Sequence, residues 1–310
     1  MDLMTWNGHA LMHLVLVMGC STAIAQTQPE TTAEGQSSDA RVEDVDTWAL
    51  WNDWEEKNTP DASWEFRFEP SVWYASPGGN LRLPGALPGS DRVRFADLNL
   101  DSPRLSAFPE LHYRTGLWRF GASGFDVRLE REAVMTETGA LGPVSFSPGD
   151  VVMSEFSLTS LEVEAGYLLL DSRHSSNAHR RTLAPDLEFL AEGIVGLRGY
   201  HTMIDIDNAG MNTDESQTFA HPYVGVRTEL VLSEGFSMDL RASAGWFGLD
   251  NHSSFSWDAL VGFRYYLSPN LALQVGYRQN AYGMSDGTDT NEFSLRGATA
   301  GFYAGGVLRF

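Results

Sequence analysis

Lysine and cysteine are almost missing from this chain: of its 310 residues, only Lys57 is a lysine and only Cys20 a cysteine. Basic charge as a whole is scarce, with 21 Lys and Arg against 41 Asp and Glu and a formal net charge of −20. A nucleic-acid partner needs a basic footprint, so this balance excludes one. The cations that remain are nearly all arginine, which suits fixed, forked ion pairs better than loose solvation. Long apolar runs are also missing. After the first 25 residues none approaches the ~18 consecutive apolar positions that a membrane-spanning helix requires. If the chain crosses a membrane, it does so with strands. No glycine motif of the kind that cradles phosphates is present either.

What is abundant is the material of strands and turns: nine Trp, ten Tyr, 17 Phe and 30 Gly. These types favour pleated sheets and tight turns. The N-terminus differs. Residues 10–19 are apolar and lead through Cys20 to Ala23-Ile24-Ala25, a secretory signal pattern whose n-region carries Asp2 instead of a basic residue. Residues 1–25 are expected to be removed, which would leave no cysteine. The run VMGC loosely resembles a lipoprotein signal, which would instead acylate Cys20. Residues 26–63 are polar and acidic and read as a disordered linker. Trp48, Leu50, Trp51 and Trp54 have the spacing of a short helix within it.

From Trp64 onward apolar and polar residues alternate. Trp64, Phe66, Phe68, Val72 and Tyr74 share one face, with Glu65, Arg67 and Glu69 opposite. Ten strands are expected, at 64–74, 110–114, 117–130, 152–170, 186–205, 218–232, 236–248, 255–268, 270–283 and 293–310. Weak strand signals at 93–100 and 131–150 leave eight or twelve open. In the third strand the apolar positions move from even (Trp118, Phe120) to odd (Phe125, Val127, Leu129), which suggests a bulge near its glycines. Tight turns are expected at 115–116, 233–235 and 268–270, all at one end. Longer polar links are expected at 76–106, 131–150, 206–217 and 284–292, at the other, with two exceptions, a longish link at 171–185 and a short loop around Asp250. The fold class is therefore all-β, a closed antiparallel transmembrane barrel over residues 64–310. A soluble sandwich would also alternate, but without the signal segment and the asymmetric links.

The chain ends GFYAGGVLRF. Tyr303, Gly305, Leu308 and Phe310 in that spacing resemble the C-terminal assembly signal of bacterial outer-membrane β-barrel proteins. The resemblance implies a Gram-negative-type outer membrane, outer-membrane lipid as the surrounding solvent, and barrel-assembly machinery as a partner during insertion. It covers the pattern of residues 64–310 and, residue by residue, the last strand.

With the apolar faces toward lipid, the opposite faces carry Glu65, Arg67, Glu69, Glu110, His112, Arg114, Arg119, Glu162, Glu164, Glu188, Glu192, Arg198, Arg227, Glu229, Asp239, Arg241, Asp258, Arg264, Arg278 and Arg309. Acids and arginines nearly balance. A wide pore lined by one sign of charge would select ions. A narrow barrel would fill its lumen with paired charges, because unpaired buried charge is costly. About eight strands leave room only for side chains, so ten point to a packed lumen or a narrow passage for small solutes. Each acid reads first as a structural ion-pair partner.

No catalytic set, metal site or cofactor is read from the sequence. Outer-membrane omptin proteases resemble this architecture and use an Asp-x-His at the outer rim, which Asp250-Asn251-His252 matches. Their paired aspartates have no convincing counterpart, since Asp205-x-Asp207 falls on a different loop. Barrel lipid A hydrolases, which use His with Ser and an acid, are similar in another way: His201, His221 and His252 lie near the expected rim, beside Ser253 and Ser254. The acids of residues 96–108 lack the spacing of a calcium loop. Ligand and oligomeric state leave no signal.

Overall fold

Side-chain alternation dictates the architecture. The computed structural model describes residues 64–85, 92–171, 188–233 and 235–310. The expected signal segment, linker and tryptophan helix lie outside these residues. Strands run in chain order as β1 (Trp64–Arg82), β2 (Val93–Arg94), β3 (Arg104–Thr115), β4 (Trp118–Val134), β5 (Gly139–Leu141), β6 (Val144–Phe146), β7 (Val151–Asp171), β8 (Glu188–Asn208), β9 (Met211–Ser233), β10 (Phe236–Leu249), β11 (His252–Ser268), β12 (Leu271–Asp286) and β13 (Phe293–Arg309). Ten of them, β1, β3, β4, β7 and β8 to β13, pair antiparallel with their neighbours, and β13 pairs with β1 to close the ring. Closure joins the first wall strand to the last, as strands that sit in lipid require, although the β3–β4 ladder ends at Glu110↔Ser123 and the β9–β10 ladder at Tyr223↔Gly245.

The weak signals at 93–100 and 131–150 are not wall strands. The first gives the two residues of β2 and a 3₁₀ turn, Phe95–Leu98. There Arg94 hydrogen-bonds Asp97 at 2.7 Å, which holds the Asp97 carboxyl below its usual range. The second gives the separate hairpin β5–β6.

The outward face is apolar where lipid is expected. Val72, Tyr74, Leu161, Val195, Val224, Leu273 and Phe302 all point outward and are exposed. Trp64, Trp118, Phe120 and Tyr167 form a belt toward the end with the short turns. Trp118 packs edge-on against Tyr167 at 5.0 Å.

Three expectations need correction. First, β4 contains no bulge: its register with β7 is continuous from Trp118↔Tyr167 to Val134↔Val151. Odd residues face inward throughout, so Phe125, Val127 and Leu129 lie in the lumen, not in lipid. What changes along β4 is the character of the interior, polar at Arg119 and Ser123 and apolar beyond. Second, residues 206–217 are not a loop. β8 and β9 continue as a hairpin to a two-residue turn, where Ala209 and Gly210 take positive φ of 51° and 91°. Third, β1 runs on to Arg82, so the link that follows is shorter than expected.

Candidate functional site: the filled lumen

The site is the barrel interior, built by strands that each contribute one inward residue in two. On β7, Glu162 faces inward at the centre. Its Oε2 accepts from Arg198 (β8) and Arg241 (β10), each at 3.1 Å, and its Oε1 from Arg278 (β12) at 2.6 Å. Asp258 of β11 accepts from Arg278 at 2.8 Å and from Arg241 at 3.4 Å. Five strands thus meet at two carboxylates. Arg198 is steadied further by Ser256 and Ser243, at 2.7 and 3.0 Å. All five charged groups are buried.

Toward the short-turn end a second layer follows. Arg264 donates to Asp239 at 2.8 Å and to Glu69 at 3.2 Å, and Arg67 lies 2.9 Å from Glu69. Arg227 pairs with Glu164 at 3.0 Å. Beyond these, Arg114 and Arg119 both bind Glu192, and Arg309 pairs with Glu65 at 3.0 Å. Glu229 accepts from Tyr266 at 3.4 Å and lies 3.9 Å from Arg264. A cavity of about 110 Å³ remains there, lined by Glu65, Arg67, His112, Arg114, Arg119, Leu190, Glu229 and Arg309. The structure thus brings together Glu65, Arg67, Glu69, Arg198, Arg227, Glu229, Asp239, Arg241, Asp258, Arg264, Arg278 and Arg309. The side chain of Glu188 lies outside the described residues.

Toward the other end the lumen turns apolar, which the sequence reading missed. The Arg278 guanidinium lies under a cluster of rings, 4.4 Å from the centre of Phe108 and 5.4 Å from that of Phe125. Trp73 meets Phe125 edge-on at 5.2 Å, and Phe108 meets Tyr303 at 5.9 Å. Above this cover, Phe95, Leu98 and Leu100 of the β2–β3 segment and Leu141, Val144 and Phe146 of β5–β6 are buried with Phe156, Ile204 and Ile206 of the wall. Phe95 packs edge-on to Phe156 at 4.8 Å. Residues 93–100, with the β5–β6 hairpin, thus form a stopper for the mouth. The runs of inward Phe, Leu and Ile on β4, β7 and β8 were the signal for it. Strand alternation alone does not say which apolar face is inside, so Phe125, Val127 and Leu129 of β4 read as lipid-facing in the sequence. Removing the Phe95 ring should cost about 3–5 kcal/mol of folding stability, the usual range for Phe→Ala in a core. Urea unfolding of Phe95→Ala beside the parent checks this.

The last strand has a definite geometry. Tyr303 faces inward and lies over two glycines: a methyl group at Gly276 would come within 2.6 Å of its ring, and one at Gly262 would overlap its hydroxyl. Gly305 faces inward opposite Ser71 of β1, at the closing seam. Leu308 and Phe310 point outward, and Phe310 packs against Phe66 at 6.1 Å.

Asp250 and His252 do not form a pair. Asp250 occupies the β10–β11 turn with φ 51°. His252 instead places Nδ1 3.2 Å from Oδ1 of Asp286 and stacks on Phe219 at 4.6 Å. The other rim histidines diverge. His201 points outward to Thr218, whereas buried His221 sits between Ser254 and Ser256 at 3.0 and 2.7 Å. Glu69, Glu110 and His112 approach within 4.8 Å of one another, a spacing open to a metal ion. The two carboxylates are already engaged by Arg67, Arg264 and Arg241, and this cationic surround does not suit a metal ion.

A family model, the Opacity family porin protein, matches residues 191–303. The chain folds as a closed antiparallel β-barrel of ten wall strands. This barrel is similar to the outer membrane protease OmpT of Escherichia coli, at 12% identity and a TM-score of 0.48, over 81% of this chain and 98% of that one. It is also similar to the neisserial surface protein A, at 14% identity and a TM-score of 0.29, over 80% and 97% of the two chains. The toluene transporter TodX of P. putida matches at 14% identity and a TM-score of 0.24, over 81% and 90%. No curated protein matches the barrel sequence.

Proposed function

We propose that this protein is a structural barrel of the outer membrane whose lumen is sealed, so that its biological contacts are made by its wall and its outer mouth. The observation that carries the proposal is the convergence of Arg198, Arg241 and Arg278 on Glu162 across the lumen, beneath the ring cover of Phe108 and Phe125. A conducting pore needs a continuous wet path, and here successive charged, aromatic and aliphatic layers occupy the bore. Outer-membrane lipid surrounds the apolar belt, and the assembly machinery reads the last strand. Liposomes carrying the refolded barrel should shrink and stay shrunken in hyperosmotic glycine or glucose, as empty liposomes do. Reswelling on the time scale of a porin control would make the protein a passage for small solutes instead.

Arg309→Glu tests the inward placement of the last strand. It sets two carboxylates together at the Glu65 pair, which is partly exposed. A modest loss of refolding yield is expected, on gels that distinguish folded from unfolded barrel by mobility. A yield equal to the parent's would contradict the pairing.

The alternative reading is a rim hydrolase, favoured by the His252–Asp286 contact at the mouth. A carboxylate that orients an imidazole suits it to activate water. Activity on a peptide or lipid panel that disappears in both His252→Ala and Asp286→Asn would establish that reading in place of the scaffold. Absence of hydrolysis by the parent removes it.

A further inference from the structure

β9 and β10 are unequal partners. β9 has 23 residues and β10 only 14. Their ladder ends at Tyr223↔Gly245, while the pairing of β8 with β9 continues to Asn208↔Met211. Among the described residues, β9 from Met211 to Pro222 is therefore paired on one side only. The outward side chains here, Asn212, Asp214, Ser216 and Thr218, are polar, so this stretch stands in water beyond the apolar belt. An unpaired strand edge is a template for another chain, and proteins usually protect it with lysine, proline or a bulge. This edge has no lysine or register shift, and its one proline, Pro222, stands at the inner end of the unpaired stretch, next to the last paired residue Tyr223. Beside it the end of β10 exposes Trp246 and Leu249, 67% and 63% accessible.

The charge around this edge selects its occupant. Glu130, Glu155, Asp205 and Asp214 lie directly opposite one another across β4, β7, β8 and β9, all outward and exposed. Like charges opposed in this way destabilise a sheet. The row ends at the free edge, where a further strand would set one residue opposite Asp214. A lysine or arginine at that place would relieve the row. A second copy pairing edge to edge brings no lysine or arginine to that place, and in the register that opposes Asp214 to Asp214 it lengthens the like-charge row.

We propose that the free edge of β9, residues 211–222, takes up an extended basic peptide segment of another protein as an added strand. Main-chain hydrogen bonds would supply the affinity and the acid row the selectivity. The inference does not depend on the lumen being closed.

The test uses the full barrel in nanodiscs of zwitterionic lipid. The probe is a ten-residue peptide of alternating lysine and valine, blocked at both ends. Addition of this peptide should slow amide exchange in β9 at least tenfold, confined to residues 211–222. The same peptide N-methylated on alternate residues, which cannot pair as a strand, should give no protection. Asp214→Lys should weaken binding at least tenfold, with gel mobility showing that the variant is folded. The proposal is overturned if β9 gains no protection, or if the N-methylated peptide binds equally well. Protection that appears without peptide and rises with protein concentration would also overturn it, in favour of self-pairing.

Discussion

Glu162→Leu is expected to abolish most of the folded, mobility-shifted barrel, or to lower its urea midpoint by far more than any surface change. The carboxylate is the shared acceptor of Arg198, Arg241 and Arg278, and all four side chains are buried. Removing one member of a buried ion pair costs about 3–5 kcal/mol, because the partner charge is left uncompensated. Here three partners lose an acceptor, and only Arg241 and Arg278 retain Asp258. The same physics predicts a partial rescue. Replacing both members of a buried pair by apolar groups is often neutral. Glu162→Leu combined with Arg198→Leu should therefore recover part of the loss, although each single change is harmful. Parent-like stability in Glu162→Leu alone would mean that the arginines are solvated and the bore is wet.

Gly305→Val should prevent closure of the barrel. A side chain at Gly305 would overlap the Pro70 carbonyl oxygen and the Ser71 hydroxyl of β1 across the closing seam. Backbone atoms cannot rotate away as a flexible side chain can, so the two strands must separate. An opened seam exposes unpaired N–H and C=O groups, each of which costs several kcal/mol in lipid. Ala304→Val is the control, because Ala304 points outward and has open space. Refolding in detergent without assembly machinery separates the two roles of Gly305. Failure there is steric. Normal refolding there, with loss only in cells, would make this glycine a recognition element and contradict the steric account.

The ten strands were legible because most wall positions obey one rule, apolar outside and charged inside. That rule placed Glu162, Arg198, Arg241, Asp258 and Arg278 on one interior surface before any contact was known. It did not reveal which acid takes which arginine, since strand register is set by turns and seam contacts such as Gly305 against Ser71. The upper lumen was misread for a clear physical reason. Phe125, Val127 and Leu129 are as apolar as lipid-facing residues, and the folding-in of Phe95, Leu98 and Leu100 with Leu141, Val144 and Phe146 makes an apolar interior there. The β8–β9 extension reads as a loop in the sequence because Asp207, Asp214 and Glu215 look like solvated loop residues. They are strand residues whose faces are both clear of lipid. Asp250 and His252 are adjacent in sequence, yet a turn with positive φ separates them and gives His252 to Asp286. No spacing rule links residues 34 apart.

Single-channel recording of the refolded barrel in a planar bilayer tests the sealed lumen most directly, with gel mobility confirming that the inserted protein is folded. The sealed lumen predicts a silent bilayer at ordinary holding potentials, for the parent and for Asp214→Lys alike. Steady, reproducible conductance steps from the parent barrel would contradict it.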